Sequence, residues 1–176
     1  MNFDGKGKYS RSFWTQQWKK NPRLLLAAKD NDKIRGIAFG WVDVGNCVTV
    51  AYDGVSKDSE NIGLHEALMV EIEKRAEKLG MRNVVLGILD GREEFYAKMG
   101  YTGKTLIQSE KHSVAALEKF NEQYGQYEIT GTNIYEGHVN QLWLNSPLLD
   151  KNLKRYYEED IGDCSVQVIV NKEIYF

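Results

Sequence analysis

The chain has 176 residues, 42% of them hydrophobic and 27% charged, with a formal net charge of −2. That is one domain's worth of ordinary globular sequence, or one domain with a substantial extension. Two prolines and no biased run exclude a disordered or collagen-like chain, and the near-neutral charge argues against nucleic acid or an anionic membrane as the main partner, since both need a basic surface. Cys47 and Cys164 stand far apart with no CxxC, so neither a disulfide framework nor a zinc site is signalled, and no metal is expected. Both cysteines fall in strand-like sequence, where they read as buried, reduced thiols. The longest apolar run, Leu24 to Ala28, is five residues and too short for a bilayer, and the first residues have no apolar stretch suited to secretion. A cytoplasmic protein is expected.

In chain order, residues 1–11 are polar around Gly5 and Gly7 and read as a loop or short edge strand. Ser12 is placed to cap a short helix with Trp14, Trp18 and Lys19-Lys20, which Pro22 ends. Strands follow over Arg23–Lys29, Ile34–Val44 and Cys47–Tyr52, with turns at Asn31-Asp32 and Gly45-Asn46, an antiparallel meander. The period then changes. Leu64, Leu68, Ile72, Ala76 and Leu79 recur at helical spacing, with Glu71 and Arg75 on the polar face and Gly80 as a left-handed stop. Asn83–Leu89 is a nearly continuous apolar strand, and a helix over Arg92–Met99 stops at Gly100. The helix from Leu64 crosses over between two strands, which should therefore be parallel neighbours.

From about Tyr101 the pattern is strand, helix, strand, strand, helix, strand. The helices are expected over Ser113–Tyr124 and from Ser146-Pro147 to about Glu159, and the strands over Tyr127–Tyr135, His138–Asn145 and Ser165–Val170. That order suits a ferredoxin-like βαββαβ extension. The fold class is thus mixed α/β. The expected domains are 1–108 and a C-terminal α/β unit, 109–176, packed on it or mediating dimerisation. Trp143 and the exposed-looking pair Tyr156-Tyr157 suit either role, and His112 and His138 read as surface residues without a ligand partner.

The chemistry concentrates in the loop from Val55 to Leu68. It leaves a strand and enters a helix with glycine at its mouth. Unbonded first-turn N–H groups and the positive end of the helix dipole make such a mouth suited to a pyrophosphate. Some 30 residues further on, Phe95-Tyr96-Ala97-Lys98-Met99-Gly100-Tyr101 is a short aromatic helix closed by Gly-Tyr.

Together these segments resemble the GNAT superfamily of acyl-CoA-dependent N-acyltransferases over residues 20–108. The segment Phe95–Tyr101 matches the family's Phe-Tyr-x-x-x-Gly-Phe/Tyr closely. The resemblance implies a splayed sheet with acetyl-CoA in the cleft where two parallel strands diverge, and transfer of an acetyl group to a primary amine of a small molecule or peptide by direct attack. It maps the valine beside the pantetheine arm onto Val55, and the pyrophosphate loop onto Glu60, Asn61, Ile62, Gly63, Leu64 and His65. It maps the acid that protonates the leaving thiolate onto Tyr96. The usual loop reads Gln/Arg-x-x-Gly-x-Gly/Ala, so only Gly63 of its three signature positions is kept. Glu60 brings a carboxylate near the phosphates, and His65 replaces a small residue.

Asp53 stands two residues before Val55 and should share its strand face, which makes it the candidate base for the acceptor ammonium. Gly54 is the expected bulge and the Val55 N–H the expected oxyanion donor. Trp14 and Trp18 read as core or as a wall of the acceptor pocket. The alternative is a GNAT-fold module that has lost catalysis and binds acyl-CoA weakly or serves as a protein partner. A homodimer through the C-terminal unit is a further expectation.

Overall fold

The computed structural model describes residues 10–59, 63–89, 91–125, 127–146 and 149–174. Helix α1 (Arg11–Lys20) is followed by a single 3-10 turn with Pro22 at its start, so the chain cannot continue the α-helix there. Strands β1 (Leu25–Asp30), β2 (Lys33–Asp43) and β3 (Cys47–Val55) form the expected antiparallel meander. Its turns put Asn31 (φ 52°) and Gly45-Asn46 (φ 76° and 56°) in the left-handed region, where Gly and Asn carry the smallest penalty. Helix α2 (Leu64–Lys78) crosses to β4 (Asn83–Gly87), and β4 pairs in parallel with β3 from Cys47↔Asn83 to Thr49↔Val85. Helix α3 (Glu93–Lys98) and strand β5 (Thr102–Ser109) come next.

By compactness the chain divides into two units. One runs to Val85 and takes in the residues from Glu173, and the other is Leu86–Lys172. In the first, α2 packs on β2 and β3 through Leu68, Met69, Ile72 and Ala76, all buried. A fully buried Leu or Ile side chain is worth about 1.5–3 kcal/mol, so this stripe is the main anchor of the helix. The sheet face beneath it is built from small residues. A Cβ on Gly36 would lie 2.9 Å from Leu68 Cδ1 and 3.0 Å from Val55 Cγ1, so the backbone itself is the floor for the helix. Glu71 and Arg75 form the i,i+4 pair at 2.8 Å, and Arg75 also donates to the Arg23 carbonyl. Trp18 is half exposed, and the side chain of Trp14 lies outside the described residues.

In the second unit β5 is followed by α4 (Val114–Tyr124), β6 (Ile129–Tyr135), β7 (Val139–Leu144), α5 (Lys151–Arg155) and β8 (Ser165–Glu173). Its strands run β8-β5-β7-β6, each antiparallel to its neighbour. The core is Ile107, Leu117, Leu142, Leu144, Leu153, Tyr157 and Val166. Two expectations need correcting here. Tyr157 is fully buried rather than exposed, and Tyr156 is half-buried with its hydroxyl donating to the Phe120 carbonyl. The helix expected from Ser146 begins instead after Asp150, whose carboxylate caps it by accepting from the Asn152 and Leu153 amides. Ser146 is buried, with its carbonyl taken by the Thr105 hydroxyl, and Pro147 lies outside the described residues. After Arg155 the helix widens into a π-turn, Tyr156–Ile161.

The Asp150 cap also accepts from the hydroxyls of Tyr124 and Tyr127, at 2.9 and 3.0 Å. Burial works against its ionisation, but these bonds outweigh it and hold the carboxyl below the usual carboxylate range. Burial and the bond to Asp150 push the Tyr124 phenol up to about 12. A depressed carboxyl stabilises the fold above its unfolded pKa, and that contribution is lost as pH falls through the folded value. A raised phenol stabilises below its unfolded pKa and is lost as pH rises through the folded value. Asp150→Asn should therefore cost about 1–3 kcal/mol at neutral pH. Denaturant melts should show this difference shrinking below pH 4, and in wild type a stability loss as the pH rises from 10 toward 12.

Candidate active site

Strand β3 sets the site, and a β-bulge sets β3. Phe39 pairs with Tyr52 and Gly40 with Val50, so Ala51 is the extra residue. Side chains alternate faces along a strand, and one inserted residue reverses the phase beyond it. Val48 and Val50 lie on the helix side, opposite Val42 and Gly40 of β2. Past the bulge Asp53 and Val55 return to that same side, opposite Ala38 and Gly36. Without Ala51 both would face away. The bulge is at Ala51 and not at Gly54, because Gly54 stays in register with Ile37.

Beyond Val55 the Ser56 amide donates to the Arg35 carbonyl at 2.7 Å, extending the ladder by one bond. Successive amides of a strand point to opposite edges, so the Val55 N–H points away from β2. On that edge of β3 the parallel ladder to β4 runs from Cys47 to Thr49. The chain then makes one 3-10 turn, Lys57–Ser59, in which the Ser56 hydroxyl donates to that of buried Ser59. Arg35 is itself a bulged residue, since Ala28 pairs with Gly36 and Lys29 with Ile34. Its guanidinium meets Asp30 at 3.0 Å and Asp58 at 3.7 Å, tying the loop to the hairpin. Beside it a surface recess of about 360 Å³ is lined by residues including Lys29, Arg35, Ser59 and Leu64.

Glu60, Asn61 and Ile62 lie outside the described residues. Gly63 is the residue before α2, at φ 71°, and among the described residues nothing lies within 4 Å of where a Cβ would stand. Leu64 is half-buried at the first helical position. His65 follows, and its side chain turns to β3, where its Nε2 meets the Asp53 carboxylate. Both side chains are largely covered, 13% and 17% exposed. Tyr52, next to Asp53 in the chain and on the opposite face of β3, has its phenol pushed up by burial and by the Asp53 charge.

Of the residues singled out from the sequence, the fold brings Asp53, Val55, Gly63, Leu64 and His65 into one stretch of the first unit. Tyr96 belongs to the second unit, 2% exposed and packed edge-on between Phe95 and Tyr101, with ring centroids 5.0 and 5.5 Å away. Cys47 and Cys164 are free thiols, half-buried, and burial raises both. His138 is exposed, whereas His112 packs its ring against Phe120 and donates to the Gly162 carbonyl. The sequence pattern did not single out Arg35 or Ser59. The one signal for Arg35 was an acid, Asp30, five residues before it across a hairpin turn.

No protein-family model matches the chain, and no curated protein sequence does. Solved structures do. The chain is similar to a GNAT family acetyltransferase from Elizabethkingia anophelis with acetyl-CoA bound, at TM-score 0.53 and 15% identity, over 94% of this chain and 84% of that one. It is similar to N-acetylglutamate synthase from Neisseria gonorrhoeae, complexed with coenzyme A and N-acetylglutamate, at TM-score 0.53 and 12% identity. That match covers 96% of this chain, which spans 28% of the synthase. The fold is that of the GNAT acetyltransferases.

The left-handed Gly63 is a backbone requirement and not a steric one. Gly63→Ala should cost about 1 kcal/mol and Gly63→Asn less, because Asn tolerates that region. Thermal melts of the two variants check the order. Equal losses would mean the turn is not left-handed.

Proposed function

We propose that the chain is an N-acetyltransferase that moves an acetyl group from acetyl-CoA to a primary amine of a small molecule or peptide. The observation that carries this reading is the GNAT fold with a covered carboxylate, Asp53, on the helix-side face of β3, two residues before Val55. The residues present suit the co-substrate. Gly63, with no other described residue against it, precedes a 15-residue helix whose first-turn amides have no intrahelical acceptor and favour an anion. The loop 60–65 would hold the pyrophosphate and Val55 would line the pantetheine arm.

Acetyl-CoA supplies an acetyl group activated as a thioester. Asp53 takes a proton from the acceptor ammonium, leaving a neutral amine to attack the thioester carbon. The Val55 N–H, directed away from β2, donates to the oxygen that gains charge. As the C–N bond forms and the C–S bond breaks, the Tyr96 phenol gives its proton to the departing sulfur, a match because phenol and thiol have comparable basicity. The nitrogen of the new amide gives up its second proton, which passes through solvent to the tyrosinate, and Asp53 releases its own proton to solvent. In this reading residues 1–108 carry the transfer chemistry. The part from 109 onward bounds the acceptor site or joins two copies, and the protein works in the cytoplasm.

One observation favours a second reading, a weakly binding module without turnover. The imidazole of His65 stands where GNAT loops keep a small residue.

A thermal-shift titration with acetyl-CoA, against desulfo-CoA and an adenine nucleotide, separates the two. Ligand at 100 times its dissociation constant adds about 2.7 kcal/mol, which for a chain of this size raises the melting temperature by roughly 5–10 °C. A saturable shift followed by thiol release with a primary-amine panel supports the transferase. No shift at millimolar acetyl-CoA removes it. Tyr96→Phe should lower kcat by about 10²-fold and leave the acetyl-CoA shift unchanged. An unaltered rate would take Tyr96 out of the chemistry.

A further inference from the structure

The Asp53–His65 contact joins two features that the sequence pattern kept apart, a candidate base on β3 and a candidate phosphate ligand on α2. His65 is the second residue of α2, where the side chain of a cofactor-loop residue would be expected to turn toward the phosphates. Instead it reaches Asp53 with Nε2. An ionised carboxylate only accepts hydrogen bonds, so the Nε2 facing it carries the proton. Both side chains are more than four-fifths covered, so this bond forms in a medium where a charge-assisted hydrogen bond is strong and its loss costly.

We propose that His65 is a positioning residue for proton transfer: its Nε2–H holds the Asp53 carboxylate toward the acceptor amine. This rests on the acetyl-transfer reading. The carboxylate has lone pairs for about four hydrogen bonds, so the bond to His65 does not exhaust it. Asp53 is thereby fixed by an element other than its own strand. Two anchors on the first unit limit its motion, the Ala38 register on one side and the first turn of α2 on the other. The charged groups around the pair fit the arrangement. Tyr52 stays a neutral phenol through burial and the Asp53 charge, Glu66 is exposed at the first turn of α2, and Arg35 is engaged by Asp30 and Asp58. The balance of the step is unchanged. One proton moves from the ammonium to Asp53 and later to solvent, and His65 keeps its own.

The consequence is a specific assignment. His65 acts on turnover through Asp53 and contributes little to acetyl-CoA affinity, although it occupies the cofactor loop. Its test uses His65→Ala, His65→Gln, Asp53→Asn and the Asp53→Asn/His65→Ala double variant of the full chain. Each is measured for kcat, for KM with the best amine of the panel, and for the acetyl-CoA thermal shift. His65→Ala should lower kcat by about 10²-fold with the acetyl-CoA shift retained. His65→Gln should recover most of the rate, since its amide can donate from nearly the position of Nε2. The double variant should be no slower than Asp53→Asn alone, because residues acting as one unit are not additive. A low-field imidazole N–H resonance in the proton NMR spectrum should be present in wild type and absent from both His65→Gln and Asp53→Asn.

Three outcomes overturn the proposal while leaving the transferase intact. The first is a weakened acetyl-CoA shift with unchanged kcat in His65→Ala, which returns His65 to the cofactor loop. The second is losses that multiply in the double variant, and the third is a Gln variant as slow as Ala. A wild-type chain that neither binds acetyl-CoA nor acetylates an amine overturns the transferase reading, and this one with it.

Discussion

One extra residue in a strand governs the candidate site. Ala51 is the bulge that reverses the phase of β3, so that Asp53 and Val55 share the face of Val48 and Val50 and lie under α2. Strand side chains alternate with a strict period of two, and no other local device moves a run of residues from one face to the other at so little cost. The bulge also fixes which edge each amide addresses. Ser56 donates back to β2, and Val55 must then point away from it.

The second governing feature is how closely α2 approaches the sheet. Gly36 and Ala38 leave room for Leu68 to rest on backbone, and this lowers the first turn of the helix far enough for His65 to reach β3. Small residues in β2 and one imidazole in α2 are thus parts of a single arrangement. With a small residue at position 65 the first turn of α2 would offer only its amides. Here it adds a side-chain donor directed at a carboxylate. The hairpin is braced separately by Arg35, which a second bulge aims at Asp30 and Asp58.

In the second unit one carboxylate does a comparable job for stability. Asp150 starts α5 and gathers two tyrosine hydroxyls from α4 and the segment after it, which ties helix to helix near the core. Sequence patterning favoured Ser146-Pro147 as that start, because serine followed by proline is a common opening. The tertiary structure chose Asp150. It is the residue that can satisfy two backbone amides and two phenols at once, while the Ser146 carbonyl is committed to Thr105.

Much of the architecture follows from local chemistry and was readable in advance. The turns at Asn31 and Gly45-Asn46, the helical period from Leu64 to Ala76, the stops at Gly80 and Gly100, and the parallel crossover all express short-range preferences of glycine, asparagine and apolar spacing. So did the shared face of Asp53 and Val55, which needs only their two-residue separation. Other facts have no local signature. That the bulge falls at Ala51, that Tyr157 is buried, and that His65 turns to Asp53 depend on what a distant segment brings opposite. Register and burial are settled by partners ten or more residues away, and a chain read one window at a time carries no record of them.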